Sequence, residues 1–277
     1  MKSLATAFKE VYGEALKEYG FKKVKSKYPY YARMVGDEIV QVITCATEWC
    51  GTKTKKAFTI LGGVATVYRR KIILDVSPKD NDWLIANYNV SECLYGFDPK
   101  GKSELGIIEF VYDKDDEESL LEALRYSWKV TEENLLASLN KVNSLSDCID
   151  FFTCCPLANM SVNIDNILCN ENVGCSNEGL INIIYYGLEK IEGYVKRVTE
   201  GYEKANAVLR HNMDVGKCGF SEEDFKKDKI AREKRMLEQI KRYEMIVTNI
   251  FYMSKVKAEA ERRKTRNVEI LKIYELI

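Results

Sequence analysis

The chain is almost without histidine: His211 is the only one in 277 residues. A Ser-His-Asp or Cys-His catalytic group would have to run through that one side chain. It sits in RHNMDVGK, at the predicted end of a charged helix, where a histidine ordinarily caps carbonyls or faces water. Metal motifs that need two histidines, HExxH among them, are excluded. The nine cysteines (45, 50, 93, 148, 154, 155, 169, 175 and 218) contain no Cys-x-x-Cys pair. Cys45 and Cys50 have four residues between them, Cys169 and Cys175 have five, and Cys154 and Cys155 are adjacent. These spacings do not match the paired thiolates of a structural zinc site, so the thiols are read as reduced, with no metal and no cofactor expected. No apolar run reaches the roughly 18 residues of a spanning helix, so no membrane insertion is expected. The first residues, MKSLATAFKEVYGEALKEYG, carry acidic side chains where an export signal would be apolar, which predicts a cytoplasmic protein.

Charge is present in equal amounts and unequal places. There are 42 Lys and Arg against 42 Asp and Glu. Residues 1–71 hold 14 basic against 6 acidic, net +8; residues 72–219 are net −12; residues 220–277 are net +4. Such a layout can steer an acidic partner to the first part of the chain, or hold basic and acidic parts against each other.

The hydrophobic periods predict an α+β chain. Ser3 can cap a helix whose apolar residues Leu4, Ala7, Phe8, Val11, Tyr12, Ala15 and Tyr19 share one stripe. Gly20 ends it, and Phe21 can fold back on its last turn. Strand-like segments follow at 28–35, at 39–47 (IVQVITCAT, a central strand) and at 57–68, where Gly62 and Gly63 suggest a bulge or a close backbone approach. Segments 72–76 and 107–112 offer further strands. Gly36-Asp37 and 51–56 read as hairpin turns, so the sheet should be antiparallel. From Asp115 the period is helical, with Asp115, Asp116, Glu117 and Glu118 suited to a helix N-terminus. Residues 153–177 read as a connection. Beyond them Ile181, Ile184, Leu188, Ile191, Val195, Val198, Tyr202, Ala205 and Leu209 alternate spacings of three and four, an unbroken seam predicting one helix over 180–210. A second seam, Met236, Ile240, Tyr243, Val247 and Ile250, follows a capping box at Ser221 and Asp224, and a break near 264–267 is expected. The two seams predict a long antiparallel helical hairpin over 178–277, after an α+β domain over 1–155.

GFDPKGKS, residues 96–103, satisfies the phosphate-binding pattern G-x-x-x-x-G-K-[ST]. A working loop of this kind joins a buried strand to a helix N-terminus. Here NYNVSECLY precedes it and the strand-like ELGIIEFVYD follows, while Pro99 removes one N–H from the cradle. The reading is a polar turn between strands. The acids of 113–118 are a solvated run, and Glu48 and Trp49 stand at a strand end where a pocket could form.

The stretch FKKVKSKYPYYAR interleaves Lys22, Lys23, Lys25, Lys27 and Arg33 with Tyr28, Tyr30 and Tyr31. Lysines can follow a phosphate backbone while tyrosines stack on bases. The competing reading is an edge strand guarded by lysines, with its tyrosines packed on the sheet. The first helix, Gly20-Phe21-Lys22-Lys23, the tyrosines leading to Arg33, IVQVIT with Gln41, and FTILGGV resemble a bacterial family known only as domain of unknown function 4304, over about the first 75 residues. The resemblance implies an α+β fold and no catalytic set. The expectation is therefore a non-catalytic module that binds a protein partner or assembles with itself through the seam Ile184, Leu188, Ile191, Val195, Val198 and Tyr202. The alternative is nucleic-acid binding through Lys22–Arg33, and the third class is an enzyme whose reaction is not legible.

Overall fold

The structure is a computed structural model that describes residues 2–47, 53–77, 88–90, 110–154, 177–187, 189–193, single positions between 231 and 249, and 250–277. Helix α1 (Leu4–Glu18) starts where Ser3 Oγ accepts the Thr6 N–H at 3.2 Å, as the sequence predicts. It stops at Gly20, which takes φ +79°, a conformation a Cβ would strain. The Gly20 N–H reaches Lys17 O and the Phe21 N–H reaches Leu16 O at 3.0 Å, closing the last turn. Ala7, Phe8, Tyr12 and Leu16 form the buried stripe.

Among the described residues six strands make one antiparallel sheet: β1 (Lys22–Lys23), β2 (Tyr31–Val35), β3 (Ile39–Thr47), β4 (Lys55–Thr66), β5 (Tyr88–Asn89) and β6 (Phe110–Asp113). The order is β1-β2-β3-β4, after which β6 pairs with the first residues of β4 and β5 with Leu61 and Gly62. The β2–β3 turn sits at Gly36, φ +59°. Every residue from Ile39 to Ala46 is buried, so the sheet is covered on both faces at β3, the predicted central strand. Segment 72–76, expected as a strand, lies outside the sheet. Its donors go to side chains of the last helix: Ile72 N–H to Asn267 Oδ1 and Leu74 N–H to Tyr274 Oη, both at 3.1 Å.

On one face Gln41, Ile43 and Cys45 stand opposite Val64, Gly62 and Ile60. The chain covers this face with α1 and with α2 (Glu117–Val130), which is capped by Asp116 accepting from the Ser119 N–H at 3.1 Å. The helix then widens into a π-helical segment, Thr131–Leu136, and continues as α3 (Ala137–Leu139). At the widening, Tyr12 Oη lies 2.8 Å from Ser127 Oγ and 3.0 Å from Thr131 Oγ1, while Thr131 Oγ1 donates to Ser127 O. The π segment carries Leu135 against Gly62: a Cβ on Gly62 would meet Leu135 Cδ2 at 2.3 Å. The close approach suggested by the Gly62-Gly63 pair is this contact.

Among the described residues, further helices are α4 (Asp147–Cys154), α5 (Asn177–Tyr186) and α6 (Ile250–Ile273), and residues 189–193 are also helical. Their buried residues, Ile149, Phe151, Ile181, Tyr186, Val256, Ala260, Leu271 and the following Leu276, belong to one hydrophobic cluster with the strands. Asn267, fully buried, uses its whole amide: Oδ1 accepts from Ile72 N–H, and Nδ2 donates to Val67 O and Arg69 O, each at 2.7 Å. Two expectations are corrected. The helix over 180–210 is not continuous: α5 ends before Gly187, whose φ of +88° breaks the helical path. Residues 264–267 do not break the last helix. It starts at Asn249, whose Oδ1 accepts the Tyr252 N–H, and runs unbroken to Ile273. Of the seam residues, Ile191 is buried, Ile184 is half-buried and Ile250 is exposed, while Leu188, Val195, Val198 and Tyr202 lie outside the described residues.

Gly62→Ala should cost about 1–3 kcal/mol by overpacking. In urea unfolding, Leu135→Ala in the same chain should recover part of the loss; additive losses would refute the contact. Asn267→Leu leaves two carbonyls and one N–H without their partner and should cost roughly 3 kcal/mol. Asn267→Asp, which keeps the acceptor but neither donor, should also destabilise; an unchanged urea midpoint in both would show that α6 is held elsewhere.

Candidate interaction surfaces

The basic and aromatic stretch divides by side chain. Tyr30 and Tyr31 are buried, at 0% and 2% exposure. Tyr31 meets Phe8 edge-on, and Tyr30 Oη donates to Val76 O at 3.2 Å. Their ring faces are inside the core, where no base can stack. Arg33 is committed as well. Nε donates to Gln41 Oε1 at 2.7 Å, one terminal nitrogen to Tyr19 O at 2.6 Å, and the other to Asn140 Oδ1 at 2.7 Å. Its plane lies over Phe21, and burial pulls its pKa down. Gln41, fully buried, passes the network on to Leu139 O at 2.8 Å. Arg33 thus joins the end of α1, β2, β3 and the end of α3. The lysines are exposed: Lys22 and Lys23 on the edge strand, Lys25 paired with Glu275 at 3.2 Å, and Lys27 over the half-buried Tyr28. The structure places these residues on β1, the loop at 24–30 and β2, with Tyr30 and Tyr31 buried and the lysines exposed.

A cavity of roughly 190 Å³ opens between Leu4 and Ala5 of α1, Tyr28 and Pro29, and the end of β3 at Cys45. Burial pushes the Cys45 thiol up, so it stays protonated and a poor nucleophile at neutral pH. Cys148 is likewise buried and raised, chiefly by desolvation. Among the described residues no group of three or more His, Cys, Asp or Glu could hold a metal ion, and no helix is long and apolar enough to cross a membrane. Glu48, Trp49, His211 and residues 96–103 lie outside the described residues.

A second polar cluster joins four elements. Tyr68 Oη donates to Glu38 and its ring stacks on Tyr185 at 3.6 Å between centroids. Lys264 Nζ lies 3.4 Å from Asp37 and 3.5 Å from Glu38. The Tyr185 phenol points to Glu261. Burial, then the Glu38 carboxylate, raises the Tyr68 pKa. Lys264 is shared by Asp37 and Glu38, and the cluster ties α5 and α6 to the start of β3.

The exposed apolar surface is elsewhere. Met245, Ile250 and Phe251 are 69%, 87% and 72% exposed, and Tyr252 is 37%. Lys255 lies over Phe251 at 4.5 Å. Sequence reasoning assigned Ile250 to a buried seam and passed over Phe251 and Tyr252. The signal that could have found them is Asn249, a helix cap that starts a new helix with three large apolar residues.

The buried acids predict an alkaline limit. The Cys45 and Cys148 thiols and the Tyr12 phenol titrate above their ordinary 9.0 and 10.0 because burial disfavours the charged forms. The unfolded chain therefore loses these protons first as pH rises. Their contribution is full below about pH 9 and falls above it, by up to about 1.4 kcal/mol per pH unit for each group. Urea midpoints should drop between about pH 9 and pH 10.5; a flat profile would refute their burial.

Compared with protein-family models, with curated proteins and with solved structures, the chain matches none.

Proposed function

We propose that this protein is a non-catalytic module of the cytoplasm that binds a protein partner or a second copy of itself, and that the start of α6 is its contact surface. One observation carries the reading. Seven large hydrophobic side chains are exposed among the described residues, and four of them, Met245, Ile250, Phe251 and Tyr252, fall within eight positions. Single exposed apolar residues are ordinary, whereas a cluster gains free energy when another surface covers it. Lys255 and Lys257 flank the cluster, so the fitting surface is an apolar pocket with a carboxylate rim.

The hairpin expected over 178–277 enters this proposal at its root. Helices α5 and α6 are neighbours, with the Tyr185 phenol directed at Glu261. A hairpin built on the seam Leu188, Val195, Val198 and Tyr202 would extend the contact surface from there. The resemblance of the first 75 residues to the domain-of-unknown-function family is part of the proposal and assigns no residue a chemical role.

Native mass spectrometry with light scattering, on protein purified gently from its own host, tests it. The wild type should carry a stoichiometric protein companion or form a defined oligomer. Ile250→Glu with Phe251→Glu should lose that species while stability stays within about 1 kcal/mol, since both side chains are exposed. A monomer without a companion would overturn the reading.

A further inference from the structure

Arg266 stands on α6 and Arg70 in the turn after β4, 196 residues earlier, yet the Arg266 guanidinium donates to Arg70 O. The adjacent Asn267 holds Arg69 O and Ile72 N–H, which fixes the turn against the helix. The side chains of Arg70, Lys71 and Arg266 are exposed and have no carboxylate partner among the described residues. The neighbouring acids are engaged elsewhere: Glu259 with Arg262 and Arg263, and Glu269 with Lys272.

From Lys71 the chain runs four residues to Asp75, whose carboxylate takes Ser26 Oγ at 3.3 Å and the Lys27 N–H at 3.4 Å. Four residues span at most roughly 14 Å. Ile72 and Leu74 point inward and Lys71 stays out. Asp75 therefore holds the loop at 25–27 within a short chain's reach of the turn at 69–71. Lys27 stands on that loop and Lys22 and Lys23 on the adjoining edge strand, all three exposed. Carboxylates interrupt the positive surface: Asp75, Glu275 paired with Lys25, and Glu269 paired with Lys272.

We infer that this composite surface, centred on Arg70, Lys71 and Arg266, binds the phosphate backbone of a nucleic-acid duplex without reading bases. The chemistry selects the partner. The cations are unpaired and close together, as phosphate contacts require. Of the three tyrosines the sequence offered for stacking, Tyr30 and Tyr31 are buried and only Tyr28 keeps part of its ring exposed, so a run of single-stranded bases finds no stacking platform here. The surface uses residues apart from Ile250 and Phe251, so this inference stands independently of the protein-binding reading.

Fluorescence anisotropy with a labelled 20-base-pair duplex and the matching single strand tests it on the full chain. The duplex should bind at least as tightly as the single strand. The logarithm of the binding constant should fall with the logarithm of salt at a slope near −2.7 or steeper, as about three or more phosphate contacts require. Arg70→Gln, Lys71→Gln and Arg266→Gln together should weaken binding at least tenfold and flatten the slope, with thermal unfolding as the control for folding. Should the triple variant unfold, Lys71→Gln alone, at a side chain without a structural partner, should still weaken binding and flatten the slope by about 0.9. Undetectable duplex binding at low salt, tighter binding to the single strand, or binding to anionic phosphatidylserine vesicles but not to the duplex would each overturn the inference.

Discussion

The burial of β3 on both faces is the constraint on which the rest of the chain depends. Eight consecutive residues, Ile39 to Ala46, are shielded from water, so two layers must cover them and both ladders must be filled. β2 and β4 fill the ladders; α1, α2 and α3 supply one layer. Two polar residues, Gln41 and Thr44, are buried in the strand; Gln41 is tolerated because Arg33 and Leu139 O satisfy its amide, an arrangement that costs far less than an unpaired buried group. That bond also determines what Arg33 can do, since a guanidinium holding three acceptors at once is not available to a ligand.

The docking of α6 creates both candidate surfaces. Its buried stripe is Val256, Ala260, Arg263, Asn267 and Leu271, one residue every turn. Asn267 anchors the stripe to the turn after β4, and this sets Arg266 beside Arg70. The same register leaves the first turn of the helix beyond the edge of the core, with Ile250 and Phe251 in water. The apolar surface and the basic surface are thus two consequences of where one helix sits. The sequence alone favoured partner binding through a seam, whereas the described residues place the exposed apolar cluster at a helix start.

Several elements were legible because local chemistry fixes them. Ser3 and Gly20 bracket α1 by capping and by a positive φ, and Asp116 caps α2 in a run of acids that suits its dipole. The apolar run of β3 announced a central strand. The α6 stripe was not legible because it contains an arginine and an asparagine. Arg263 is buried beside Glu259 and Asn267 against main-chain groups, so a hydrophobic pattern cannot find them. Tyr30 and Tyr31 were ambiguous for a related reason: a tyrosine ring is apolar enough for a core and flat enough to stack on a base.

By itself, then, the sequence determined the α+β class, the capped first helix, the central strand and its antiparallel turns, since each depends on interactions within a few residues. Only the tertiary structure decided which tyrosines are inside, that Gly187 interrupts the first seam, and that Arg70 meets Arg266. These outcomes depend on contacts between residues far apart in the chain, and the free energy of such a contact is set by what surrounds it in space, not by its neighbours in sequence.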